Sequence, residues 1–218
     1  MASVEIITEA YCNSAWVDLT LNTHGPDGMS IDYGIKGNEP DKNVASSGEC
    51  SLTLKNHAGN TAGQQGYFSP NHASVLVGWG YGVEFRVVFI DSADVSAAIT
   101  SITRTSNTAT VTTTSAHGLS TNDWVTISSA VETDYNGRFK ITKTGASTFT
   151  YTVANTPSTP ATGTITFQRC YIKHYGKIWD IDPQAGDNTT QLAPIISYDN
   201  IREMAEIEAR TVTVQISK

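Results

Sequence analysis

Charge is scarce in this 218-residue chain: Asp, Glu, Lys and Arg together make up 16%. What charge there is leans acidic, with a net of −7. That balance argues against non-specific nucleic-acid binding, which needs a basic face, and leaves room for a neutral or cationic partner. Cysteine is rare and dispersed. Cys12, Cys50 and Cys170 show no CxxC spacing, so no structural zinc site is expected. The expectation is three reduced, half-buried thiols in a protein made in a reducing cytosol. Met1–Glu9 is too short and too polar for a secretion signal, and no apolar run approaches membrane-spanning length. A soluble chain without membrane insertion is expected.

Catalytic spacings are missing as well. His24, His57, His72, His117 and His174 are scattered, with no HxxxH, HExxH or His–Cys spacing. His57 and His72 flank one loop and could meet in space, but hydrogen bonding within that loop is the plainer use. His117 lies in Ala-His-Gly-Leu, where a turn role suffices. No GxSxG, P-loop or dinucleotide glycine pattern is present. Gly78-Trp79-Gly80-Tyr81-Gly82 is glycine-rich but precedes a strand pattern, so it lacks the helix N-terminus that cradles phosphate. The expectation is a non-enzymatic chain with no catalytic residue, cofactor or metal.

Threonine, serine, asparagine and glycine are abundant, which favours an all-β protein with many turns. The organising stretch is Val44–Ile90. At its start Cys50, Leu52 and Leu54 alternate with Ser51, Thr53 and Lys55, the period of a half-buried strand. At its end Val83–Ile90 reads as a second strand. Between them lies a long Gly/Asn/Ser-rich connection, and long ordered loops in compact domains are usually functional. Further strands are expected at Val4–Ile7, Ala15–Leu21, Met29–Ile35, Arg169–Tyr175, Lys177–Ile181 and Thr211–Ile216. Asp199–Ala209 carries a helical apolar stripe behind Asp199 as an N-cap.

Composition shifts after Ile90. Asp91–Ala98 reads as a linker, and Ile99–Phe167 is saturated with threonine. That segment holds four basic residues (Arg104, Arg138, Lys140, Lys143) and three acidic ones (Asp123, Glu132, Asp134), a net of +1. The flanks therefore carry −8 of the total −7. A charge-poor block inside an acidic host has the character of an inserted module. Its strand patterns are separated by turn signals, among them Asn136-Gly137 as a type I′ turn. The fold expected is all-β: a host β-barrel or sandwich with one C-terminal helix, residues 1–95 plus 169–218, interrupted by an inserted small β-barrel, residues 96–168. Val83–Ile90 and Arg169–Tyr175 are expected to pair as the two sides of one host hairpin.

Two groups of residues invite a functional reading. Asp180 and Asp182 share a face if their strand continues, and paired carboxylates can hold a hard metal or act as acid and base. A strand running into an Asp-Pro turn explains them as well. Tyr67, Phe68, Trp79 and Tyr81 cluster in the organising stretch. Such aromatics either order the long loop, form a subunit interface, or stack on a sugar ring.

The host segments carry a specific likeness. Trp16-Val17-Asp18-Leu19, Ile31–Ile35 with Gly37-Asn38, Leu52-Thr53-Leu54-Lys55-Asn56, Gly66-Tyr67-Phe68-Ser69-Pro70-Asn71-His72, Gly82-Val83 before Phe85-Arg86-Val87, and Tyr175-Gly176-Lys177-Ile178 together resemble a β-domain of tailed-bacteriophage minor tail, hub and baseplate proteins. Within the threonine-rich block, Ala116-His117-Gly118-Leu119, Val125-Thr126-Ile127, Tyr135-Asn136-Gly137 and Phe149-Thr150-Tyr151 resemble the first catalytic-cysteine half-domain of ubiquitin-activating enzymes. That second likeness implies a small β-barrel and no ubiquitin chemistry. The first implies a structural subunit of a phage tail tip or baseplate, assembled in the host cytoplasm and resident in the virion tail. Its implied partners are other tail proteins and copies of itself in a three-fold or six-fold ring. The alternative is a carbohydrate- or receptor-binding module of the virion, meeting a host-surface glycan.

Overall fold

The computed structural model describes residues 3–25, 28–32, 35–36, 44–45 and 48–199. It is all-β. The strands are β1 (Val4–Cys12), β2 (Ala15–Asp18), β3 (Met29–Asp32), β4 (Ile35–Lys36), β5 (Val44–Ala45), β6 (Glu49–Lys55), β7 (Glu84–Asp91) and β8 (Ser96–Thr105). They continue with β9 (Thr108–Thr113), β10 (Trp124–Ala130), β11 (Gly137–Lys140), β12 (Thr142–Lys143), β13 (Thr148–Thr152), β14 (Gly163–Ile181) and β15 (Leu192–Asp199). Among the described residues only short 3-10 turns add to them, and no helix is long and apolar enough to cross a membrane. The helix expected over 199–209 and the strand expected over 211–216 fall outside the described residues, apart from Asp199, which ends β15. Packing divides the chain into two compact units, Met1–Ile6 with Val88–Ile172, and Ile7–Val87 with Lys173–Lys218.

In the unit built on Ile7–Val87 and Lys173 onward, neighbouring strands run β2-β1-β7-β14-β15-β6-β3, and every register observed is antiparallel. The alternation in β6 is realised: Cys50, Leu52 and Leu54 are buried and the residues between them are half-exposed. Ala193 and Ile195 of β15 lie opposite Leu54 and Leu52, so the two strands share one buried face. Ile7, Ala10, Cys12, Leu19, Phe85, Val87, Ile178 and Ile181 are further buried apolar residues of this unit's strands and turns. β7 does pair with β14, as expected of the host hairpin.

β14 corrects the reading of Arg169–Tyr175 and Lys177–Ile181 as two separate strands. It runs without interruption through Gly176, a residue that reads as a breaker. Gly176 instead marks close backbone approach, one of the two uses of glycine inside a sheet: it faces Asp199 in the ladder.

In the unit built on Val88–Ile172 the order is β12-β13-β9-β8-β14-β10-β11. Its core is a single cluster that includes Ile102, Val111, Leu119, Val125, Ile127, Tyr135, Ile141, Phe149 and Phe167. The sheet curls: Phe139 of β11 stacks on Tyr151 of β13 with centroids 4.3 Å apart. It is nonetheless not a closed barrel. β11 pairs with β10 and β12 pairs with β13, and the ladder breaks between them at Ile141, whose N–H donates to the Asp123 carbonyl while its side chain fills the core.

Asn136-Gly137 is not a type I′ turn. Asn136 has φ −81° and ψ 144°, an extended backbone. Its side-chain amide clamps Ala130, accepting from the N–H at 2.9 Å and donating to the carbonyl at 2.8 Å. The type I′ turn lies in the other unit, between β1 and β2, where Asn13 and Ser14 have φ 50° and 66°.

Candidate functional site

The long connection between β6 and β7 is ordered from within by Asn56, a fully buried residue just after β6. Its side-chain oxygen accepts the Phe68 N–H at 2.8 Å, its amide donates to Ser69 Oγ at 2.7 Å, and its carbonyl accepts the Gly66 N–H at 2.9 Å. A buried amide whose oxygen and nitrogen both find partners in this way fixes one local conformation. Phe68 is buried and meets Trp79 edge-on at 5.1 Å, and Trp79 Nε1 donates to the Phe68 carbonyl at 3.0 Å. With Trp79 only 7% exposed, this pair is the loop's own core. Tyr67 is half-buried against Phe68, and Tyr81 is the exposed member of the four at 62%. His57 and His72 each accept a backbone N–H two residues ahead, from Gly59 and Ser74. Asp180 and Asp182 are both exposed at the end of β14.

A second aromatic group stands on the same unit's sheet. The two-residue turn Asn13-Ser14 sets the hairpin register so that Tyr11 of β1 lies opposite Trp16 of β2. Their ring centroids are 5.4 Å apart at 59°. Trp16 also meets Tyr175 of β14 at 6.2 Å and 58°. β1 and β7 lie between β2 and β14, a span of about 14 Å at ordinary strand spacing. The two rings therefore lean inward across the intervening strands.

Beneath them lies an ion pair. Arg86 Nε of β7 donates to Glu9 Oε2 of β1 at 2.7 Å, with side-chain exposures of 3% and 5%. The Arg86 guanidinium carbon sits 3.9 Å from the Trp16 ring centroid, within cation–π range. The aromatic roof explains how an ion pair on an outer sheet face comes to be dry. Tyr175 is fixed in turn by donating to Glu84 at 2.8 Å; burial first, then this bond, pushes its phenol up to about 12.

None of Glu9, Tyr11, Glu84 or Arg86 is conspicuous in the sequence. The alternation along β14 is a usable signal, since it puts Lys173, Tyr175, Lys177 and Trp179 on the face away from His174 and Ile178.

A serine–histidine contact also occurs, between His174 Nε2 and Ser197 Oγ at 2.9 Å. Both residues are buried, and burial pulls the His174 pKa down to about 4, against a smaller opposing effect of Asp199. The pair is a core hydrogen bond out of reach of a substrate. The thiols are equally withdrawn: burial pushes Cys12 up to about 11 and Cys50 up to about 12, the Glu49 carboxylate adding to the latter.

His174 makes stability depend on pH. The folded state holds it neutral down to about pH 4 while the unfolded chain protonates it near 6.5. The unfolded state thus binds the extra proton in between, and stability falls as pH drops through that window. Between pH 7 and 5 the wild type should lose on the order of 1–2 kcal/mol more than His174→Gln in urea titrations. Parallel pH profiles for the two would show that His174 protonates without unfolding.

Models of known protein families do not match this chain, and neither do curated protein sequences. Among the described residues no group of three or more His, Cys, Asp or Glu is placed to hold a metal ion. In the threonine-rich unit, Arg169 bridges Asp123 at 3.0 Å and Asp94 at 3.5 Å, and Tyr171 donates to Asp94. That cluster ties β14 to the segments before β8 and β10.

Proposed function

We propose that the chain is a non-catalytic structural subunit of a bacteriophage tail tip or baseplate, a hub-like or distal ring component. The supporting observation is the way the segments that resemble tail proteins hold one another. Asn56, closing Leu52-Thr53-Leu54-Lys55-Asn56, binds Gly66, Phe68 and Ser69 of the Gly66–His72 segment. Gly82 donates to the Ile178 carbonyl, and Ile178 donates back to Val83. Residues scattered through the chain thus act as one braced unit, with a long loop rigid enough to serve as an assembly contact. Open sheets need their edges covered, and neighbours in a ring do this.

Native mass measurement tests the reading. A particle of three or six times the 23.4 kDa chain is expected at micromolar concentration. A monomer at every concentration tested, with no incorporation when mixed with purified phage tails lacking their tip, overturns it.

A further inference from the structure

We propose that the cradle formed by Tyr11, Trp16 and Tyr175 binds a single pyranose ring of a soluble, uncharged glycan. Three features of the site point to a sugar. First, its rings stay in contact with solvent on a sheet face, Tyr11 at 40% and Tyr175 at 38%, with Trp16 half-buried between them. Second, they are held in place before any ligand arrives. The hairpin turn sets Tyr11 against Trp16, the Arg86–Glu9 pair supports the Trp16 ring from beneath, and Glu84 holds the Tyr175 hydroxyl. Binding then orders little, so even a small contact yields net affinity. Third, polar residues of both signs neighbour Tyr175: Glu84, which accepts from its hydroxyl, and Lys173 and Lys177, which share its face of β14. A pyranose has an apolar C–H face to lay on an aromatic ring and a rim of hydroxyls that donate to carboxylates and accept from ammonium groups. Mixed charge fits such a neutral ligand better than a polyanion.

Size and shape narrow the occupant. The exposed area of three rings at this level is on the order of 250 Å², well short of the roughly 800 Å² per partner of a stable protein interface. The interplanar angles of 59° and 58° mean that the rings do not form a flat platform. A cradle grips one ring of a flexible glycan, whereas a flat crystalline polysaccharide needs coplanar rings. The site is distinct from the loop that holds Tyr67, Phe68, Trp79 and Tyr81.

Saturation-transfer NMR and tryptophan fluorescence on the full chain test this, with a panel of soluble gluco-, galacto-, rhamno- and N-acetylglucosamine-terminated oligosaccharides at millimolar concentration. At least one sugar should show saturation transfer. Its affinity should fall about tenfold or more in Trp16→Ala, and be kept within about threefold in Trp16→Phe and in Tyr81→Ala. Should Trp16→Ala fail to fold, Tyr11→Ala takes its place, with the same expected loss. No saturation transfer from any sugar in the panel overturns the proposal, as does undiminished binding by Trp16→Ala or Tyr11→Ala. Loss of self-association in Trp16→Ala without any sugar binding assigns the patch to a second copy of the chain and likewise overturns it. The proposal does not rest on the ring reading: native mass decides that one and sugar titration decides this one.

Discussion

Glu9→Ala should lower the stability of the Ile7–Val87 unit by about 3–5 kcal/mol, one of the two largest effects expected of a single substitution here. The reason lies in what remains. Arg86 keeps its charge, its side chain is 3% exposed, and the Trp16 ring lies over it at 3.9 Å. Removing the carboxylate leaves that charge dry and without its carboxylate partner, which costs far more than the attraction itself is worth. The same physics predicts that Glu9→Leu combined with Arg86→Met is much milder, within about 2 kcal/mol of wild type, because neither residue then buries a charge. Urea unfolding of Glu9→Leu, Arg86→Met and their double variant gives the coupling directly, and an unchanged slope with denaturant shows that the folded state was preserved. A loss below about 1 kcal/mol in Glu9→Ala would mean that Trp16 swings aside and lets water reach Arg86. The aromatic roof would then be a mobile flap, and the preorganisation invoked for the cradle would fail with it.

How much of this was legible in the sequence depends on the range of the interaction. β6 was legible because alternation is local: Cys50, Leu52 and Leu54 are buried and their neighbours are not. The pairing of β7 with β14 was legible because two apolar patterns flank a block of different composition. Glu9 and Arg86 were not, since they lie 77 residues apart and nothing in either strand states the register that joins them. Turn chemistry misled in both directions. Asn136-Gly137 has the stronger type I′ composition, yet Tyr135 and Ile141 must both enter the core, and the Asn136 side chain is spent on Ala130. Asn13-Ser14 is a weaker signal, yet it forms the turn, because burial of Ala10 and Cys12 on one face sets the register of the hairpin. The loop aromatics were visible as a cluster, but burial is a tertiary property. Trp79 turns inward to Phe68, and the group formed by Tyr11, Trp16 and Tyr175 joins residues that no local pattern brings together.

Gly176→Ala should be the other severe substitution, costing about 3–5 kcal/mol. A Cβ at this position would lie 1.9 Å from the Tyr198 carbonyl oxygen and 2.9 Å from the Asp199 nitrogen. These are backbone atoms of β15, so no side chain can rotate away to make room. Either β14 and β15 separate over the Gly176–Asp199 and Lys177–Tyr198 pairs, or the strand shifts register. Both outcomes travel further, because β15 also carries β6 on its other edge and Asp199 Oδ2 holds the Gly48 N–H at 2.8 Å. The clash is steric and owes nothing to backbone handedness, unlike Gly78, where φ is 82°. Gly80 supplies the control: nothing lies within 4 Å of its would-be Cβ. Gly80→Ala should be neutral, or stabilising by a few tenths of a kcal/mol through the unfolded chain. Urea unfolding measures both losses, and amide exchange locates the first. Amides of β15 and β6 should exchange faster in Gly176→Ala, while those of Val111, Val125 and Phe149, in the other unit's core, keep their protection. If Gly176→Ala instead matches Gly80→Ala, the ladder between β14 and β15 does not close at Gly176, and the uninterrupted course of β14 through that residue is wrong.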